Sequence, residues 1–295
     1  MSTVERLSRL ALGTVQFGLS YGVANQSGQV SPEEVGLILD AARNAGVRTL
    51  DTATAYGESE KVLGQQDLRG FAVVTKLPEI PADCVDVSAW VEAQLHTSLV
   101  RLGLLAVDGL LLHRPAQLLG AHGAALFAAL QAQREQGLVR RIGVSVYSPE
   151  ELDALCQRYH FDLIQAPFNV LDKRLEQSGW LERLRRGGTD LHVRSVFMQG
   201  LLLMPSEERP AKFTRWEPLW ALWQRWLAES GQSPLQACLR HALAVPQIER
   251  VVVGVDSLAQ WQAILQSAAG TCPAVPSELQ CADIELLNPS LWNHL

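Results

Sequence analysis

Ser31-Pro32-Glu33-Glu34-Val35-Gly36-Leu37-Ile38-Leu39-Asp40-Ala41-Ala42-Arg43-Asn44-Ala45-Gly46-Val47-Arg48-Thr49-Leu50-Asp51-Thr52-Ala53 reads as one complete helix followed by one complete strand. Ser31 supplies an N-cap oxygen, Pro32 takes the first helical position where no N–H is needed, and Glu34 completes a capping box. Gly46 stops the helix, because the left-handed conformation of a helix end costs glycine little. The run 48–53 then reads as a strand. Ser148-Pro149-Glu150-Glu151 repeats the helix start, and Gly137 repeats the stop.

Outward from this unit, short apolar runs alternate with longer amphipathic stretches along the whole chain. Strands are expected at 10–15, 48–53, 72–77, 107–113, 141–146, 163–168, 192–197 and 251–255. Their apolar residues run on without strict alternation, as in strands buried on both faces of a parallel sheet. The first strand leads into Gly13-Thr14-Val15-Gln16-Phe17-Gly18, which lacks the G-x-G-x-x-G phosphate fingerprint of an open dinucleotide-binding sheet. Eight βα units therefore favour a closed α/β barrel, the (β/α)8 or TIM barrel, and with no linker in sight one domain is expected over 1–295.

Of the 295 residues 47% are hydrophobic, enough for a large core, and the net charge of -6 disfavours nucleic-acid and anionic-membrane partners. Five scattered cysteines suggest neither disulfides nor a metal site, and the polar N-terminus precedes no apolar leader. A cytoplasmic protein acting on a small molecule is expected. Nothing in the sequence bears on oligomeric state.

In such barrels chemistry gathers at the C-terminal ends of the strands. Asp51 ends the second strand, Tyr56 follows in its loop, Lys76 ends the third and His113 the fourth. Each alone has an ordinary role as a cap, a packing ring, a loop lysine or a core histidine. Together at successive strand ends they form a catalytic set. A tyrosine hydroxyl titrates near pH 10 and needs a cation beside it to give up its proton, which Lys76 would supply. Asp51 would hold the ammonium, and His113 would orient a carbonyl or relay the proton. No side chain donates hydride, so the set calls for a nicotinamide.

At these residues the chain resembles the aldo-keto reductase superfamily. The resemblance rests on Asp51-Thr52-Ala53-Thr54-Ala55-Tyr56-Gly57-Glu58-Ser59-Glu60 with Leu63-Gly64, on Thr75-Lys76 and on Leu112-His113-Arg114-Pro115. It continues through Gly137–Ser145 and Phe161-Asp162-Leu163-Ile164-Gln165, and covers roughly residues 10 to 268. It implies a barrel reducing an aldehyde or ketone, hydride coming from the pro-R position of the nicotinamide and the proton from Tyr56. Ser145 and Gln165 then fall on positions that hold the carboxamide, with Val146 where relatives commonly carry Asn. Arg194 falls where an aromatic ring stacks on the nicotinamide; its guanidinium either stacks there or turns toward a carboxylate on the substrate. Gly13, Thr14, Ser195, Phe197, Gln199, Gly254, Val255, Asp256, Ser257 and Gln260 are carried over as cofactor-binding positions. NADP(H) is expected on the family's habit and NAD(H) is the close alternative, since Gly254, Gln260 and Ile264 replace the usual basic residues and Asp256 would repel a 2′-phosphate. Backbone amides after Ser257 offer a phosphate cradle.

Trp216, Trp220, Trp223 and Trp226 fall at helical spacing and read as core, the other reading being a cover over the site. His122, His160 and His241 read as surface or packing residues. Two rival functions remain: a lyase or aldolase forming a Schiff base on Lys76, and a nucleotide-binding module without turnover.

Overall fold

The computed structural model describes residues 2–295. Eight parallel strands close into a barrel in chain order: β1 Leu10–Gly13, β2 Thr49–Asp51, β3 Ala72–Leu77, β4 Val107–Leu112, β5 Val139–Ser145, β6 Leu163–Pro167, β7 Asp190–Arg194 and β8 Arg250–Gly254. The chain thus has the (β/α)8 architecture expected from its alternation. No described helix is long and apolar enough to cross a membrane.

Every expected strand exists, but several boundaries move. β1 stops at Gly13, and Val15–Phe17 forms a 3-10 turn. β2 is only Thr49–Asp51. β5 starts earlier, at Val139, leaving Val146 outside. β7 lies two residues before its expected start and ends at Arg194, because Ser195 takes φ 61°, and Met198 and Gln199 take 49° and 55°. Those left-handed backbones cannot continue a strand, and three in one short turn without glycine mark a strained segment.

The helix Pro32–Asn44 starts as read, with Ser31 Oγ accepting the Glu34 N–H at 3.3 Å. Glu34 does not close the capping box. Its Oε1 instead accepts the Leu258 N–H at 2.7 Å, 224 residues away. At the second helix start Glu151 does reach back, accepting from the Ser148 N–H at 3.0 Å. The four tryptophans are core: all are buried, and their indole N–H groups end on the Phe213, Leu202 and Ala274 carbonyls and on Asp283.

Side chains alternate across each strand, so inward positions form layers inside the barrel. Val74, Leu111 and Leu163 make one apolar layer. Lys76, His113 and Gln165, each two residues further along, stand above it at the C-terminal mouth. At the opposite end Arg141 donates to Asp108, Asp190 and Glu249, and Glu249 also bonds His192. A hydrophobic floor thus separates two polar ends.

Candidate active site

At the mouth, the fully buried Lys76 Nζ donates to Asp51 Oδ1 at 2.7 Å and to the Thr52 carbonyl at 2.9 Å. Burial lowers the ammonium's pKa, while the charge and hydrogen bond of Asp51 oppose that shift. The other Asp51 oxygen accepts the Gln165 amide at 2.6 Å. Both carboxylate oxygens are therefore satisfied, which a buried charge requires.

Tyr56 lies beside this pair. The Lys76 ammonium sits 5.0 Å from the Tyr56 ring centroid, and the His113 ring meets it edge-on at 5.9 Å. Among the described residues no hydrogen bond reaches the Tyr56 hydroxyl, yet the hydroxyl is not among the buried orphaned atoms. It opens into the mouth. Burial, and then the Asp51 charge, push its pKa above the ordinary phenol value, with Arg194 opposing. Lys76 was expected to do the opposing; its ammonium is turned down to Asp51 and Thr52, and Arg194 takes that part. His113 follows β4 directly and is pushed down to about 4 by burial, then by Lys76 and Arg194, so it is neutral at pH 7.

The loop carrying Tyr56 is pinned from below. Ser59 Oγ donates to the Thr14 carbonyl at 2.8 Å and contacts the Thr14 and Thr52 hydroxyls at 2.9 and 3.1 Å. Gly18 passes so close that a Cβ there would lie 1.9 Å from the Tyr56 carbonyl and 2.3 Å from the Ser59 amide. Gly18→Ala is therefore expected to displace the Tyr56 loop. It should cost more than about 2 kcal/mol by urea unfolding together with most carbonyl turnover, and an unchanged midpoint would sink the idea.

Ser145, the last residue of β5, pairs in register with Gln165 in the middle of β6, and its hydroxyl lies 3.3 Å from Gln165 Oε1. Arg194 reaches back over them, donating to the Val146 carbonyl at 2.9 Å and lying 4.5 Å from the Tyr147 ring centroid. Gly13 and Gly254 are register partners across the β1–β8 seam. A Cβ on Gly254 would come within 2.5 Å of Gln16 Oε1, a buried acceptor with no partner. Paired glycines, an orphaned acceptor and the Ser145–Gln165 pair form a donor and acceptor set that fits a nicotinamide dinucleotide.

The remaining cofactor positions divide. Thr14 is turned inward, its hydroxyl on the Asp51 carbonyl at 3.0 Å and beside Ser59. Val255 is buried and Phe197 packs against the core. Ser195 lies beside Arg194, with their side chains 3.3 Å apart, while Gln199 donates to the Tyr21 hydroxyl at 3.0 Å. Ser257 caps the helix Leu258–Ser267, accepting the Gln260 N–H, and Gln260 accepts the Asp256 N–H at 2.8 Å. With Glu34 on Leu258, most amides expected to cradle a phosphate already have partners. Asp256 accepts from Asn25 at 2.8 Å, and burial raises its pKa against bonds from Gln260 and Asn25.

Tyr21, Tyr147, Ser59 and Asn25 were not singled out from the sequence, and Glu34 was read only as a helix-capping residue. Ser59 stood inside a quoted motif. Tyr21, Tyr147 and Asn25 had no local signal.

A family model described as the aldo/keto reductase family matches residues 9–274. The chain belongs to that family. A D-threo-aldose 1-dehydrogenase of a Pseudomonas species is 29% identical over 93% of this chain and 95% of its own length. An NADH-specific methylglyoxal reductase of Escherichia coli is 24% identical over 85% of this chain and 90% of its own. Among solved structures, an aldo-keto reductase of Bacillus halodurans in its holo form superposes with a TM-score of 0.71 at 20% identity, over 90% of this chain and 88% of that one. As an aldo/keto reductase the chain is an oxidoreductase of the kind that reduces carbonyls.

Proposed function

We propose that this chain reduces an aldehyde or ketone with a nicotinamide dinucleotide, Tyr56 protonating the carbonyl oxygen. The observation that carries this reading is the Tyr56 hydroxyl, open to the mouth and free of protein partners, beside the buried Lys76–Asp51 pair and a neutral His113. A nicotinamide dinucleotide held by Ser145, Gln165 and the Gly13–Gly254 seam would supply hydride to a carbonyl carbon. Tyr56 stays protonated at neutral pH, as a general acid must. The phenolate left after transfer forms within the field of the Arg194 cation, which steadies its charge, with the Lys76–Asp51 pair beside the ring. Neutral His113 donates a hydrogen bond to the carbonyl and orients it. Ser145 and Gln165 hold the carboxamide, while Gln165 also braces Asp51.

The Schiff-base alternative loses support: Lys76 is fully buried and committed to two acceptors, so its nitrogen is not presented to a substrate. Fluorescence titration with NADH and NADPH, followed by a carbonyl screen, tests the proposal. No nucleotide binding below about millimolar, where binding energy is only about 4 kcal/mol, sinks it. Nucleotide binding with no turnover of any carbonyl supports the module reading instead.

Between the two nucleotides, the groups around the helix Leu258–Ser267 suit NADH. Glu34 and Asp256 bring two carboxylates to the end where a 2′-phosphate would need cations, and no cation is among the groups shifting Asp256. The name of the Escherichia coli relative points the same way. NADH is expected to bind at least about tenfold tighter than NADPH, and Glu34→Gln to narrow that ratio. Equal dissociation constants in the wild type would overturn this preference, and tighter binding of NADPH would restore it as the first choice.

A further inference from the structure

Arg194 is a cation without a counter-ion at a mouth whose innermost charges cancel, the exposed Arg114 beside His113 being a second cation at the rim. Lys76 and Asp51 neutralise each other, and His113 is uncharged at pH 7. Arg194 acts electrostatically on Tyr56, Lys76, His113 and Tyr21, which places it inside the site. No carboxylate partners it among the described residues. Its guanidinium donates to the Val146 carbonyl at 2.9 Å and makes only long contacts, 3.4 and 3.3 Å, with the Ser145 and Ser195 hydroxyls. Three of its five N–H groups are so engaged. Its guanidinium carbon lies over the Tyr147 ring, 4.5 Å from the centroid. The chain as a whole carries a net charge of -6, so a positive mouth is a local feature that the global charge does not produce.

A half-buried guanidinium backed by an aromatic ring, with donors to spare and no counter-ion, is built for a planar anion arriving from solution. We propose that Arg194 binds a carboxylate on the substrate, so that the compound reduced is an oxo acid: an aldehyde or ketone that also carries a carboxylate. The proposal rests on the reductase reading above. Hydride from the reduced dinucleotide adds to the carbonyl carbon, the C=O π pair moves to oxygen, and the Tyr56 proton joins it. The product is a hydroxy acid with its carboxylate unchanged, and the dinucleotide leaves oxidised.

Matched pairs test this: 4-formylbenzoate against its methyl ester, and succinic semialdehyde against butanal, as kcat/KM ratios for wild type, Arg194→Met and Arg194→Lys. The wild type should prefer the acid by about 10- to 100-fold, as a charged hydrogen-bonded contact implies. Arg194→Met should bring the ratio near one, mainly through KM, and Arg194→Lys should keep part of it. Because each ratio is taken within one variant, a general loss of activity cancels. A wild-type ratio near one, or a ratio unchanged in Arg194→Met, overturns the proposal. So does a variant that loses nucleotide affinity while keeping its preference for acids, which would assign Arg194 to the nicotinamide. If no carbonyl turns over, the reductase reading has failed; calorimetric titration of 4-formylbenzoate and its ester into the protein with bound NAD then reads the Arg194 contact alone. Acid-selective binding lost in Arg194→Met supports the contact, and its absence overturns it.

Discussion

Tyr56→Phe should lower kcat for carbonyl reduction by about 10²- to 10⁴-fold while leaving the NADH dissociation constant within about twofold. The substitution removes one oxygen that makes no hydrogen bond to the protein, so no buried partner is orphaned and the fold should not suffer. The ring keeps its places under His113 and against Lys76. Loss of rate with binding intact is the signature of a group used only in the transition state. The sign of the Tyr56 shift adds a second readout. Its pKa is raised by burial and by Asp51, so the acid form persists well above neutrality. Reduction should stay level between roughly pH 6 and 9, and oxidation of the alcohol, which needs the phenolate, should climb through the same range. A Tyr56→Phe enzyme with full activity removes Tyr56 as the proton donor, and reduction that falls between pH 6 and 7 contradicts the raised pKa.

The barrel was legible because its signals are local. Apolar runs, capping serines and stop glycines each act within a few residues, and a parallel sheet needs nothing more to be recognised. Strand ends then carried the catalytic set: Asp51, Lys76 and His113 each fall at or beside the end of an apolar run, and a closed parallel barrel brings those ends to one mouth. Boundaries failed where a loop decided them. β7 ends early because Ser195 turns left-handed, and Ser195 carries no glycine to announce it.

The site's rim was illegible for a related reason. Asn25 meets Asp256 across 231 residues, and Glu34 meets Leu258 across 224. A capping-box glutamate looks the same in sequence whether it turns back on its own helix or reaches another. Arg194 was read with two destinations open, the nicotinamide or a carboxylate; the structure lays it over Tyr147, a contact set by the β5 loop and unmarked by any spacing.

Arg141→Met should destabilise the barrel by about 3 kcal/mol, lowering Tm by roughly 5 to 10 °C, without changing kcat at 25 °C. Arg141 is nearly buried at the strand-start end and is shared by Asp108, Asp190 and Glu249. Methionine fills much of its volume but leaves three carboxylates facing one another, and breaking one side of such a cluster costs more than the cluster contributed. The floor of Val74, Leu111 and Leu163 separates this end from the mouth, so the chemistry should not register the change. Glu249 gives the pH arm. Burial raises its pKa, but the hydrogen bond and charge of His192, then Arg250 and Arg141, hold it down to about 2. A carboxyl depressed on folding stabilises above its unfolded value of about 4.5, and that contribution fades as pH falls toward 2. Wild-type stability should therefore drop across that window, and Arg141→Met should drop less steeply, since part of what holds Glu249 down is gone. Parallel stability curves for the two proteins between pH 5 and 3 would show that the Arg141 cluster is not what resists acid.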